Sequence, residues 1–151
     1  MFGKALLLLF FIAYGESNDE FSMDANQMKD CYFHLLCTLN YTKVFYEAGK
    51  NVGPMYRTKY WGWIEQVTGA DVTHENTLEN WVKYSNLECK NSKAERDRHF
   101  DEFSQLGGEY WLEACYNTFS TKCKEVQDFT EMLAEIMREW MENGDCMEII
   151  L

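Results

Sequence analysis

Apolar residues recur along most of this chain at intervals of three and four. Met28, Cys31, Leu35, Leu39, Thr42 and Phe45 fall on one helical stripe. Asp24 is a suitable N-cap and Gly49 a suitable stop, so the pattern predicts a first helix over residues 25–48. Asn51-Val52-Gly53-Pro54 punctuates the chain, and Pro54 can open the next helix because its missing N–H would be unpaired in a first turn anyway. Tyr60, Trp61, Ile64 and Val67 form the stripe of this second helix, closed by Gly69. Leu78, Trp81, Val82, Ser85 and Cys89 share a face of a third helix, for which Thr73 or Asn76 would serve as cap.

Ser92-Lys93-Ala94-Glu95 fits a capping box ahead of a fourth helix carrying Phe100, Phe103 and Leu106, which Gly107-Gly108 is expected to break. From Glu109 a long periodic run follows through Leu112, Cys115, Phe119, Cys123, Val126, Phe129, Leu133, Ile136 and Trp140. It reads as one long helix or as two broken near Ser120-Thr121, and Asn143-Gly144 ends it. No strand-like alternation competes. The pattern predicts an all-α, single-domain bundle of about five helices. In its last helix Phe129, Met132, Leu133, Ile136, Met137, Trp140 and Met141 fill two adjacent rows, a stripe wide enough to require the angle between two other helices.

Length and composition agree with that reading. With 151 residues, 46% of them hydrophobic, the chain suits one domain with a real core. A net charge of −11 argues against nucleic acid as a partner, because a phosphate backbone is gripped by clustered lysine and arginine.

Residues 1–15 have the form of a secretory signal peptide: Lys4 supplies the positive start, Ala5 to Ala13 an unbroken apolar run, and Ala13 and Gly15 a small-x-small cleavage site. The run is far short of the ~20 residues that span a bilayer. Charged residues interrupt every later candidate, so the chain is not expected to be membrane-spanning. Residues 16–151 would then form a secreted, extracellular domain.

Six cysteines fit that compartment: Cys31, Cys37, Cys89, Cys115, Cys123 and Cys146 read as three disulfides stapling the bundle. Cys31 and Cys37 would lie ~9 Å apart along one helix, and Cys115 and Cys123 ~12 Å apart along another. A disulfide needs Cα atoms within about 7 Å, so neither couple should bond internally. Several pairings survive these exclusions; the favoured one joins antiparallel first and last helices through Cys31–Cys123 and Cys37–Cys115, with Cys89–Cys146 pinning the C-terminus. Asn40-Tyr41-Thr42 is a glycosylation sequon, which makes Asn40 a candidate glycan site in an exported chain.

Candidate chemistry is sparse. Cys31-x-x-His34-x-x-Cys37 resembles metal-ligand spacing, but zinc would need both thiolates reduced. His74-Glu75 begins a zincin pattern in which Leu78 stands where the second histidine must be. His99 sits among Asp97, Asp101 and Glu102, read as a solvated charged face; a calcium loop would need glycine where Glu102 stands. Neither a nucleophile elbow nor a Gly-rich phosphate loop is identifiable. The sequence therefore predicts no catalytic residue, no metal and no cofactor.

Tyr60-Trp61-Gly62-Trp63 is the densest aromatic patch and the candidate binding surface. Tyr60 and Trp61 share the core-facing stripe; Trp63 points off it and is expected to be exposed. The expected function is a secreted non-enzymatic binding protein acting on an extracellular protein partner. The alternative is an extracellular carrier of a small hydrophobic ligand, held against Met132, Ile136, Met137 and Trp140.

Overall fold

The computed structural model describes residues 24–146. The expected signal peptide lies outside them. Among the described residues the chain is all-helical, without strands: α1 (Ala25–Phe33), a π-helical turn (His34–Thr38), α2 (Thr42–Gly49), α3 (Pro54–Thr68), α4 (Leu78–Glu88), α5 (Lys93–Ala114) and α6 (Thr121–Glu142). Helices α3, α5 and α6 pack on one another, α2 packs on α4, and α1 leans on α5.

Helix α1 opens as its sequence requires. The Asp24 carboxylate accepts from the backbone N–H groups of Asn26 and Gln27 at 2.9 and 2.8 Å, and the Gln27 side-chain oxygen accepts from Asp24 N–H at 2.9 Å. The expected single helix over 25–48 does not form. Leu39 N–H donates to the His34 carbonyl five residues back, which widens the turn. Asn40 then takes a left-handed φ of 55° and ends the run. The wide turn lets the successive residues Leu35 and Leu36 both reach the core, something regular α-geometry separates by 100°.

Pro54 opens α3 and Gly69, at φ 70°, closes it, as expected. The N-cap of α4 is Thr77, whose hydroxyl accepts from Asn80 N–H at 3.1 Å, and not Thr73 or Asn76. Those two serve the preceding loop instead. Buried Asn80 binds Thr73 through both ends of its amide, while Asn76 donates to the Tyr46 carbonyl at 3.0 Å and accepts from Trp81 Nε1–H at 2.7 Å. Ser92 caps α5 by accepting from Glu95 N–H at 3.2 Å.

Gly107-Gly108 does not break α5, which runs unbroken from Lys93 to Ala114. Two glycines cost a helix about 2 kcal/mol relative to alanine; packing of α5 against α3 and α6 outweighs that. The chain turns only at Cys115, and Ser120 starts α6 by accepting from Cys123 N–H at 3.1 Å while donating to the Ala114 carbonyl at 2.9 Å.

That turn overturns the disulfide scheme. The bonds are Cys31–Cys146, Cys37–Cys89 and Cys115–Cys123, with Cα separations of 5.3, 5.4 and 4.6 Å. The ~12 Å exclusion assumed that Cys115 and Cys123 share a helix; the reversal between α5 and α6 folds them together. Cys31 and Cys37, which do not bond to each other, lead to opposite destinations: the segment after α6 and the end of α4.

Candidate functional site

All six helices converge on one apolar cavity of about 300 Å³. Each contributes aromatic rings: Tyr32 from α1, Phe45 from α2, Trp61 from α3, Trp81 from α4, Phe100 and Phe103 from α5, Phe129 and Trp140 from α6. The rings brace one another. Phe45 and Trp81 stack at 5.5 Å, Trp61 meets Trp81 edge-on at 5.2 Å, and Tyr56 meets Phe129 at 4.6 Å. Met132, Leu133, Ile136 and Met137 form a flexible aliphatic wall along α6. The two glycines that α5 carries also line the cavity, and a Cβ added at Gly107 would meet no atom within 4 Å.

The polar groups of this wall are largely spent within the fold. Ser104 and Thr130 donate to the carbonyls four residues back, Phe100 at 2.8 Å and Val126 at 2.9 Å. The Tyr32 and Tyr84 hydroxyls lie 2.9 Å apart. Burial, reinforced by mutual proximity, pushes the phenols of Tyr32, Tyr60 and Tyr84 well above their ordinary range. Burial also raises Tyr56. All four stay neutral at physiological pH.

The N-terminal end of α3 is anchored by Glu125 of α6. This buried carboxylate accepts from Tyr56 N–H at 2.9 Å, satisfying one of the orphan donors of the first turn. It lies so close to the Gly53 backbone that any β-carbon there would collide with its side chain.

The three aromatic candidates from the sequence all line the cavity. For Tyr60 and Trp61 that follows from the stripe. Trp63 is a correction: it is only 9% exposed, held edge-on between Tyr56 at 5.9 Å and Tyr110 at 5.7 Å. The helix has packed neighbours on both flanks, so a residue off one stripe reaches a second core. Met132, Ile136, Met137 and Trp140, named as a possible carrier wall, do come together. Sequence reasoning missed Phe45, Trp81 and Phe103 as wall residues. Each fits its own helix's stripe, but only the tertiary arrangement shows that the stripes face a common space.

His99 is a second correction. It is 3% exposed, with Nδ1 at 2.6 Å from Oε1 of Glu88, which is fully buried. Burial raises the Glu88 carboxyl while His99 and Arg96 pull it down; burial wins. Glu88 Oε2 has no hydrogen-bond partner among the described residues. Neither residue lines the apolar cavity, so this pair is a structural tie between α4 and α5. A polar cleft of about 290 Å³ beside it contains His34, Asp30 and Asp97, and Lys93 spans the two aspartates at 2.7 and 2.8 Å.

Cys31 and Cys37 flank His34 as disulfide sulfurs, which are not metal ligands. Among the described residues no group of three or more His, Cys, Asp or Glu could hold a metal ion. Asn40 is exposed, and its side-chain oxygen accepts from the Thr42 hydroxyl at 3.2 Å. Tyr116 and Phe119, 95% and 97% exposed, stand on the loop that Cys115–Cys123 closes.

Three intramolecular disulfides are typical of extracellular proteins. Among the described residues no helix is long and apolar enough to cross a membrane. No family model, curated protein or solved structure matches the chain.

Proposed function

We propose that the protein is a secreted, non-enzymatic carrier that holds a small hydrophobic molecule inside its helical bundle. The observation that carries this reading is the apolar cavity of about 300 Å³ lined from all six helices. Its volume matches the lower end of small-molecule sites, roughly 300–1,000 Å³. The disulfides suit an extracellular life, and the exposed Asn40 sequon suits glycosylation there.

Tryptophans 61, 63, 81 and 140 line the cavity and report occupancy directly. Lauryl alcohol titrated into the folded, oxidised protein should quench their fluorescence saturably. Gly107→Leu would place a side chain into the open space beside that glycine and abolish the quenching while leaving the helical circular dichroism intact. Unsaturable quenching, or equal quenching in the Gly107→Leu variant, would refute the carrier reading.

A second reading, docking onto an extracellular protein, is favoured by one observation. Tyr116 and Phe119 project almost fully from the disulfide-closed loop, two rings that the fold does not need for its core. On this reading the contact surface is that loop and not Trp63.

A further inference from the structure

Every charged side chain on a largely hydrophobic wall needs an explanation, and the cavity has one: among the described residues Arg57 of α3 is the only ionic one that lines it. It is half-buried. The lysine and arginine ion pairs of the described residues involve Lys29, Lys50, Lys83, Lys93, Arg98 and Lys124, never Arg57. Glu125, which caps the same helix at the preceding residue, makes no ion pair with it. Arg57 also makes none of the side-chain ring contacts that occupy Lys50, Lys59 and Arg96. Arg57 is thus one of several cations without a carboxylate partner, and it is the one among the described residues that lines the cavity.

The rest of the wall narrows what this cation can meet. Ser104, Thr130 and Asn76 are committed to bonds within the fold, and Tyr32 to Tyr84. The hydroxyl of Tyr56 makes no hydrogen bond to a described residue, and burial keeps it protonated, so it remains a neutral donor on the same wall. A bound molecule therefore finds hydrocarbon and rings along most of its length and Arg57 at one place. Guanidinium presents paired N–H donors that match a carboxylate bidentately.

We propose that the ligand is a medium-chain fatty carboxylate, its chain in the aromatic cavity and its carboxylate on Arg57. This rests on the carrier reading and adds the headgroup to it. At ~30 Å³ for each methylene-sized group, taking the volume share of a water as the scale, a cavity of about 300 Å³ holds about ten of them. Chains near laurate fill it; much longer ones would project into solvent.

The test titrates the oxidised full-length protein at pH 7.5 with laurate, lauryl alcohol and laurylamine, following tryptophan quenching, in wild type, Arg57→Gln and Arg57→Lys. Wild type should bind laurate at least about tenfold more tightly than the alcohol, with the amine weakest, as expected for a hydrogen bond to a charged group. Arg57→Gln should bring laurate down to the level of the alcohol without changing the alcohol's affinity. Arg57→Lys should recover part of the preference. If wild type binds alcohol and laurate equally, or if Arg57→Gln retains the preference, the carboxylate assignment is overturned and the carrier reading stands. If none of the three binds saturably, the carrier reading itself fails. The wild-type ranking decides the matter even should an Arg57 variant not fold.

Discussion

Glu88 and His99 show how a single buried pair sets a pH dependence. The carboxyl is fully buried, one oxygen is held at 2.6 Å by His99, and the other has no partner among the described residues. Its charged form is thus poorly solvated, and burial raises its pKa against the pull of His99 and Arg96. The phenols of Tyr84 and Tyr32 also face it. The folded chain accordingly holds this proton at pH values where the unfolded chain, with glutamate near its ordinary pKa of about 4.3, has released it. The contribution to stability is fully present below that value and is lost as pH rises through the raised folded one. Thermal melts of wild type and Glu88→Gln between pH 4 and 7 should show the variant gaining on wild type as pH rises. A difference between the two that stays constant with pH would contradict this assignment. The charged neighbours of His99, namely Asp97, Arg98, Asp101 and Glu102, gave no hint of it, because local composition cannot reveal that one residue among them faces inward.

At the scale of elements, helix ends follow local chemistry and helix interiors do not. Asp24, Ser92 and Ser120 cap where side-chain oxygens can reach free N–H groups, and Pro54, Gly69 and Asn143-Gly144 bound their helices where backbone preferences put them. The Gly107-Gly108 pair and the stretch around Leu35 behave otherwise. Both belong to helices that pack on neighbours along their length, and that packing settles whether the helix continues or widens. Gly107 sits within α5 with open space where a side chain would begin. Gly107→Ala should therefore stabilise the protein by up to about 1 kcal/mol through helix propensity alone, measured by urea unfolding. A loss of stability would show that the methyl group meets something the present geometry does not contain.

For the whole molecule, the three disulfides divide the work unequally. Cys31–Cys146 closes a loop of 115 residues and joins both ends of the described chain; Cys115–Cys123 closes only 8. Chain-entropy scaling assigns about 5 kcal/mol to the first and about 2.5 to the second. Replacing both cysteines by serine in each pair should lower the urea midpoint more for Cys31/Cys146 than for Cys115/Cys123. The reverse order would mean that the short bridge, by fixing the turn between α5 and α6, holds native packing together more than it restrains the unfolded chain. That outcome would also link it to the cavity, since both helices line the space.

The hydrophobic period by itself determined that the described residues are all-helical, and capping residues determined most of the helix boundaries, because both depend on contacts within four residues. The cysteine count determined that three bridges form. Which cysteines pair, where Trp63 and His99 face, and that rings from six helices enclose one space were decided by tertiary structure alone. Those outcomes turn on which helix flank meets a neighbour, on a wide turn at His34–Thr38 and on a reversal after Ala114. Each is a balance between local backbone preference and packing against residues far away in sequence, so no short stretch of the chain contains it.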